Sequence, residues 1–215
     1  MRRGLGGKTI LITAGPTWAP IDDVRVVSNV SSGELGCRLA RAAAREGMKT
    51  DVFLGAATYP FAARGVRVAR FRYFDELARL IETGLRRRQY DVILHAAAVS
   101  DFLPERTRGK ISSTAGSAVL RLRRAPKLAA RLRALNPKAL LVLFKLEAGV
   151  SDAVLLARAR RAMAQTGADL VVANRFARGG YRGFILGCGR TPTVIPARAR
   201  LTRALFLALK ERLSQ

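Results

Sequence analysis

Apolar residues come in short blocks along this chain, and the spacing within the blocks changes in turn. Lys8–Ala14 is of strand length, with Ile10, Leu11 and Ile12 as its apolar centre, the pattern of a buried strand. A helix is expected from near Ser32 to about Glu46. Thr50–Gly55 and Val66–Phe71 read as the second and third strands. Over Asp75–Arg88 the period lengthens, and Leu77, Leu80, Ile81 and Leu85 fall on one face of a helix. Asp91–Leu94 is again a strand and runs into His95-Ala96-Ala97-Ala98. Residues 99–117 mix Pro, Gly, Ser and charge and predict a long loop. Ala118–Arg123 is a candidate strand, and Pro126–Leu135 a helix with its proline in the first turn. A strand over Ala139–Phe144, a helix over Asp152–Thr166 closed by Gly167, and a strand over Asp169–Ala173 follow. Phe184–Cys188 and Thr193–Ile195 pair as a small antiparallel hairpin, and a basic helix over Ala197–Leu213 closes the chain.

This alternation predicts an α/β fold: a three-layer αβα sandwich around a mostly parallel, Rossmann-like sheet, plus the hairpin. With 215 residues, 49% of them hydrophobic, the chain buries one sizeable core and reads as a single domain over 1–215. Ligands of such sheets sit outside the carboxyl ends of the strands. Those ends are Gly15–Thr17, Ala96–Ala98, Phe144–Lys145 and Ala173–Asn174, where small and polar residues collect.

Charge changes the picture little. The net charge is +24, from 39 Lys and Arg residues of which only seven are Lys. Such a surface attracts polyanions without sequence specificity. The arginines are spread along helices, and aromatic residues do not interleave with them, so no base-stacking platform and no specific nucleic-acid partner is expected. A coding bias toward Arg accounts for them as well. The apolar run near the N-terminus is too short for a signal peptide or a membrane helix, and no membrane partner is expected. Two cysteines, Cys37 and Cys188, make no disulfide framework and fit a reduced, cytoplasmic setting.

The candidate chemistry begins at Asn29–Gly36, Asn-Val-Ser-Ser-Gly-Glu-Leu-Gly, which opens a helix after the first strand. Free N–H groups and the positive helix end favour a phosphate there. Ser31 and Glu34 equally form a capping box that needs no ligand. Familiar alternatives fail on detail. The first strand runs into Gly15-Pro16-Thr17 rather than a Gly-x-Gly-x-x-Gly turn, no Tyr starts a Tyr-x-x-x-Lys pair, and no Walker loop is present. His95, the single histidine, has no metal-ligating companions and is expected to pack in the core. Lys110 stands out because lysine is scarce and its loop, Arg108-Gly109-Lys110-Ile111-Ser112-Ser113, is polar. A mobile ammonium can follow a phosphoryl group through a reaction; it can equally be one more solvated cation.

Taken together, several segments resemble the phosphopantothenate–cysteine ligase family over nearly the whole chain. They are Ile12-Thr13-Ala14-Gly15-Pro16-Thr17 with Ile21-Asp22; Val24-Arg25 through Ser28-Asn29-Val30-Ser31-Ser32-Gly33 with Gly36; His95-Ala96-Ala97-Ala98-Val99-Ser100-Asp101-Phe102; Lys110-Ile111-Ser112-Ser113; Ala125-Pro126-Lys127; Asn136-Pro137; Phe144-Lys145-Leu146; and Ala168-Asp169 through Asn174. Each piece is weak, but their order and spacing are specific, and the Lys-Ile-Ser-Ser and Phe-Lys-Leu pieces look like the free-standing bacterial form. The resemblance implies a ligase of coenzyme A biosynthesis. The carboxylate of 4′-phosphopantothenate attacks the α-phosphate of CTP or ATP, an acyl-nucleotide (acyl-CMP with CTP) forms, and L-cysteine captures it. It implies Mg²⁺ on the phosphates, with no metal cage of the chain's own, and a homodimer whose contact involves the segment near 184–195 or the loop around Lys110. It assigns Asn29 and Lys110 to catalysis. It assigns Arg25, Ser31, Ser32 and Gly33 to the acid substrate, and Gly15, Ala96, Ala97, Ala98, Asp101, Lys110, Pro126 and Phe144 to the nucleotide. An α/β relative that binds a nucleotide but has altered or lost the ligase chemistry is the alternative. This chain departs from the family pattern at Pro16, at Ala162 and Thr166, where lysines that touch the nucleotide are frequent, and at Arg175, where an acidic residue is frequent. Arg160 or Arg161 is the expected substitute for those lysines, and the departures bear on the choice of nucleotide more than on the reaction.

Overall fold

The computed structural model describes residues 4–112, 114, 116–177, 180–189 and 191–214. In chain order the elements are β1 (Thr9–Ala14), β2 (Trp18–Pro20), β3 (Val26–Ser28), α1 (Glu34–Arg45), β4 (Lys49–Leu54), β5 (Val66–Arg70), α2 (Phe74–Arg87) and β6 (Val92–His95). They continue with β7 (Phe102–Pro104), β8 (Leu122–Arg124), α3 (Leu128–Leu135), β9 (Leu140–Ala148), α4 (Asp152–Thr166), β10 (Leu170–Ala177), β11 (Gly180–Gly187), β12 (Thr193–Ile195) and α5 (Leu201–Leu213). The main sheet has 8 strands in the order β12-β11-β10-β9-β6-β1-β4-β5. Strands β10 through β5 in that order are parallel, and β11 and β12 are antiparallel.

The central strands are apolar on both faces because helices cover both. Ile10, Ile12, Val92 and Leu94 pack with Cys37, Ala40 and Ala43 of α1 and with Leu205, Phe206 and Leu209 of α5. Leu11, Ile93, Leu141 and Val171 pack with α2, α3 and α4 through Leu77, Ile81, Leu132, Leu155 and Ala159. The sandwich expected from the alternation is therefore present, with α1 and α5 on one side and α2, α3 and α4 on the other. The expected hairpin is present as a pair, Phe184 opposite Val194, but it extends the main sheet at its edge instead of standing apart.

Several local expectations need correction. Helix α1 begins at Glu34, capped by Gly33 in the left-handed region at φ 78°, and no side chain caps it. The backbone N–H of Glu34 donates to Ser32 Oγ (3.3 Å), so the Ser31–Glu34 capping box does not form. Helix α3 begins at Leu128, leaving Pro126 ahead of the helix, because Ala125 N donates to Asp101 O and holds the chain extended there. The stretch 99–117 is not all loop: β7 pairs with β8, and the strand expected over Ala118–Arg123 is Leu122–Arg124. The short pair β2–β3 was not legible as strands. It exists because Asp22 turns the chain between them, Oδ1 accepting from Val24 N (2.8 Å) and Arg25 N (2.7 Å).

Candidate functional site

Two loops leave adjacent strands at the carboxyl edge and are knitted together. After β1 the chain turns at Gly15, φ 79°, where an added Cβ would stand 3.2 Å from Gly55 N. After β6 come Ala96, Ala97 and Ala98, all half-buried. Ala98 N donates to Gly15 O (2.9 Å) and Thr17 N to Ala98 O (3.3 Å). The buried Thr17 hydroxyl accepts from Ser100 N (3.0 Å) and bonds Ser100 Oγ (3.1 Å). These contacts fix the path of residues 96–100 along the sheet edge.

A third segment closes on them from β3. Asn29 is exposed, yet its Nδ2 donates to Ala98 O (3.1 Å) and Val99 O (3.2 Å). Two carbonyl acceptors dictate which way the amide points: nitrogen inward, Oδ1 outward. Beyond it, Ser32 O accepts from Tyr59 N, and Gly33 sits so close to Gly15 and Ala57 that a Cβ there would stand 2.6 Å from Ala57 Cβ. Gly36 lies directly against Ala14. Ser31 is half-buried beside this turn. Glu34 pairs with Arg38 (2.8 Å) and Arg198 (3.0 Å) at the start of α1.

The loop that carries Lys110 is held by a separate set of contacts, to the turn between β2 and β3. Asp22 is buried at 2% exposure, and its Oδ2 accepts from Ile111 N (3.1 Å). The Val24 N–H is the foremost of the groups holding its carboxyl below the ordinary range, with Ile111 N and Arg25 N adding to it. Arg25 Nη2 donates to Ile111 O (2.9 Å), Gly109 N to Asp23 Oδ2 (2.9 Å) and Thr107 N to Ile21 O (2.9 Å). The loop is thus clamped to the β2–β3 turn on both sides of Lys110. Lys110 itself is exposed. Asn29 and the turn that carries Lys110's anchor lie at opposite ends of β3, roughly 13 Å of extended chain apart.

The remaining positions line the same edge. Asp101 is exposed and accepts from Lys127 Nζ (2.6 Å), next to Pro126. Phe144 is half-buried in the middle of β9 and packs on the α1 side of the sheet; β9 runs on to Ala148 and β10 to Ala177, so the strand ends expected at Phe144–Lys145 and Ala173–Asn174 lie inside the strands. Ala162 and Thr166 lie elsewhere. Helix α4 starts at the carboxyl end of β9 and descends, so Thr166 sits at the foot of the sheet, and Arg160 lies about 12 Å below the helix start. Neither Arg160 nor Arg161 stands at the cleft. Cations at that edge include Arg175, whose Nε donates to Asp152 Oδ1 (2.6 Å), Arg182 on the same carboxylate (2.7 Å), and Lys145 and Arg158, which both pair with Glu147 (3.1 and 2.5 Å). Arg175, foremost, holds the Asp152 carboxyl below its ordinary range.

Residues 5–186 match the family described as the DNA/pantothenate metabolism flavoprotein C-terminal domain. The chain belongs to that family. It is 35% identical over 173 residues to the coenzyme A biosynthesis bifunctional protein CoaBC of Thermococcus kodakarensis, a match covering 80% of this chain and 42% of the relative. The chain therefore spans less than half the length of that curated relative. The fold is shared with the DNA/pantothenate metabolism flavoprotein of Streptococcus pneumoniae, at a TM-score of 0.85 and 23% identity over 96% of this chain and 100% of the other. It is shared too with a Cab2 variant in complex with phosphopantothenate-cysteine, at a TM-score of 0.75 and 18% identity over 95% of this chain and 87% of the other.

Within this flavoprotein C-terminal domain fold, some of the matching motifs prove structural. Asn136 is buried and exchanges bonds with the Tyr90 backbone, Oδ1 accepting from N (2.8 Å) and Nδ2 donating to O (3.1 Å). Asp169 accepts from Leu141 N (2.7 Å) and is paired with Arg133 at the foot of the sheet. Two residues with a place in the site were passed over. Asp22 was legible only as half of an Ile-Asp pair. His95, expected in the core, is half-buried at the carboxyl end of β6, and its Nδ1 lies 2.8 Å from Thr13 Oγ1. Burial holds its ring down to about 4. Among the described residues no three His, Cys, Asp or Glu side chains converge as a metal site, and no helix is long and apolar enough to cross a membrane.

Proposed function

We propose that the chain joins 4′-phosphopantothenate to L-cysteine at the expense of a nucleoside triphosphate, CTP or ATP. The observation that supports this reading is the bond from Asn29 to Ala98 and Val99, which ties the segment expected to hold the acid substrate to the segment expected to hold the nucleotide. The pantothenate carboxylate oxygen attacks the α-phosphorus, the bond to pyrophosphate breaks, and an acyl-nucleotide forms. The cysteine amine then attacks the acyl carbon, loses a proton, and displaces the nucleoside monophosphate.

The first step sets an anion against an anion. Arg25 and Lys110, held on one clamped turn, bring two positive charges to it, and Lys127 adds a third beside Asp101. Among the described residues no carboxylate cluster is placed to hold a cation, and Asp101 is paired with Lys127, so Mg²⁺ would be held by the phosphates and would supply charge neutralisation there. In the second step charge builds on the acyl oxygen. Asn29 Nδ2 exchanges one backbone carbonyl for that oxygen, a neutral donor that is not consumed.

The same reading includes a homodimer. Val26 and Val27 of β3, Val24 and Val30 beside it, Phe102 of β7 and Leu122 of β8 are exposed together on two touching two-stranded sheets. These residues offer a second copy more exposed apolar surface than the β11–β12 edge, where Phe184, Ile185 and Leu186 are buried and Val194 is exposed. Val27→Asp then yields monomers in light scattering.

The experiment is pyrophosphate release with phosphopantothenate and CTP or ATP, with and without cysteine. Release that requires phosphopantothenate, and product of the expected mass on adding cysteine, support the reading. Release independent of phosphopantothenate, or none with either nucleotide, overturns it.

A further inference from the structure

The carboxyl end of β6 holds a group that the proposed chemistry has not used. His95 ends β6 and lies in register with Thr13 on β1 and Leu143 on β9. Its Nδ1 is 2.8 Å from Thr13 Oγ1, and that hydroxyl also accepts from Ala97 N (3.2 Å). Thr13 is fully buried, so its hydroxyl proton needs an acceptor inside the protein, and Nδ1 is the one within reach. The hydroxyl donates, Nδ1 accepts, and the ring proton sits on Nε2. Nε2 makes no hydrogen bond with any described residue and is not among the fully buried side-chain atoms that lack one, so it keeps some access to the surface. With β6 paired on both edges and helices over both faces, that access is at the carboxyl end, beside Ala96, Ala97 and Ala98.

We propose that His95 is a nucleotide-binding residue, its Nε2–H donating to a base or ribose oxygen of a nucleotide laid along Ala96–Ala98. The inference rests on the ligase reading above. The nucleoside is favoured over the phosphates because the ring is held neutral by burial, and a desolvated neutral donor suits an uncharged oxygen. Thr13 links the ring to Ala97 N, so the donor and the backbone that the nucleotide follows are positioned by one hydroxyl.

A single histidine makes the test direct. The probe is the long-range ¹H–¹⁵N spectrum of ¹⁵N-histidine-labelled protein carrying no histidine tag, alone and with CTP, ATP or inorganic pyrophosphate. The expected result is an Nε2–H tautomer in the free protein and a displaced Nε2 resonance with CTP or ATP but not with pyrophosphate. An Nδ1–H tautomer, an unmoved resonance at nucleotide concentrations that saturate turnover, or an equal shift with pyrophosphate overturns the inference. In steady-state assays His95→Phe raises the KM for nucleotide about three- to ten-fold with kcat nearly kept, and His95→Gln, which retains a donor, recovers most of it. An unchanged KM in His95→Phe also overturns it. If the wild-type chain releases no pyrophosphate under any combination, the ligase reading has failed instead, and the tautomer and nucleotide spectra still judge His95 separately.

Discussion

Asn29 is bound to Ala98 at the carboxyl edge of the sheet, and the Ala98 peptide is where three chain segments cross. Its N–H goes to Gly15 O, and its carbonyl accepts from both Thr17 N and Asn29 Nδ2. A residue with no functional side-chain group thereby sets the distance between the turn after β1, the loop after β6 and the segment that opens α1. The arrangement also means that Asn29 starts the reaction with its amide hydrogens already engaged.

Asn29→Ala is expected to separate the two chemical steps. Pyrophosphate release should stay near the wild-type rate, because Asn29 does not face the α-phosphate in the proposed scheme. Amide formation should fall by about 100- to 1,000-fold, the usual cost of losing one oxyanion donor. Mass spectrometry of quenched reactions should show the acyl-nucleotide accumulating. Rapid product formation without that species would show that Asn29 only braces the loops.

Asp22→Ala should act on Lys110 from a distance. Removing the carboxylate frees Val24 N, Arg25 N and Ile111 N at once and loosens the clamp on the Ile111 side of Lys110, while the Asp23 and Ile21 bonds to residues 106–109 remain. Hydrogen exchange at Ile111 should accelerate, and pyrophosphate release should fall as it does in Lys110→Ala. Transfer from a supplied acyl-nucleotide to cysteine should be nearly normal in both variants. Equal loss of both half-reactions would mean that Asp22 supports the whole hairpin and not this loop in particular.

The sequence made the sheet legible because buried parallel strands are uniform apolar runs, and Ile10-Leu11-Ile12 or Val92-Ile93-Leu94 admit no other exposure pattern. It made the cleft legible as a set of segments, since small and polar residues follow the strand ends. It did not show how those segments touch. The Asn29–Ala98 bond spans 69 positions and the Asp22–Ile111 bond 89, and neither leaves a local period in the chain. His95 was read as core because a lone histidine after an apolar run usually is. Its open Nε2 depends on the strand ending one residue later. The Ser31–Glu34 capping box failed for a similar reason: Gly33 is needed at positive φ against Gly15, and that packing outweighs a local cap.

Gly36→Ala should destabilise the fold by about 1–3 kcal/mol, because the new methyl would run into Ala14 Cβ and the helix would have to lift from β1. Urea midpoints measure this. Gly116→Ala, where an added methyl meets nothing within 4 Å, is the comparison and should change stability by no more than about 0.5 kcal/mol. If both variants unfold at the same urea concentration, the close approach of α1 to β1 is not a constraint.

The His95 ring gives the fold a pH dependence of predictable sign. Its value is held down to about 4 from an ordinary 6.5 by burial, so between those limits the unfolded chain takes up a proton that the folded chain refuses. Proton uptake by the unfolded state means that stability rises with pH across that window and is lost as pH falls from about 6.5 toward 4. The two limits bound the effect at about 3 kcal/mol. Asp22, lowered foremost by Val24 N, and Asp152, lowered foremost by Arg175, lose their contributions only in more acid solution, below their ordinary 3.8. The two windows therefore adjoin without overlapping much. Urea unfolding at pH 7 and pH 5 should show the wild-type chain weaker at pH 5, and His95→Phe should lose most of that difference while keeping the acid-side decline. A variant as sensitive as the wild type between pH 7 and pH 5 would place the responsible proton on another group.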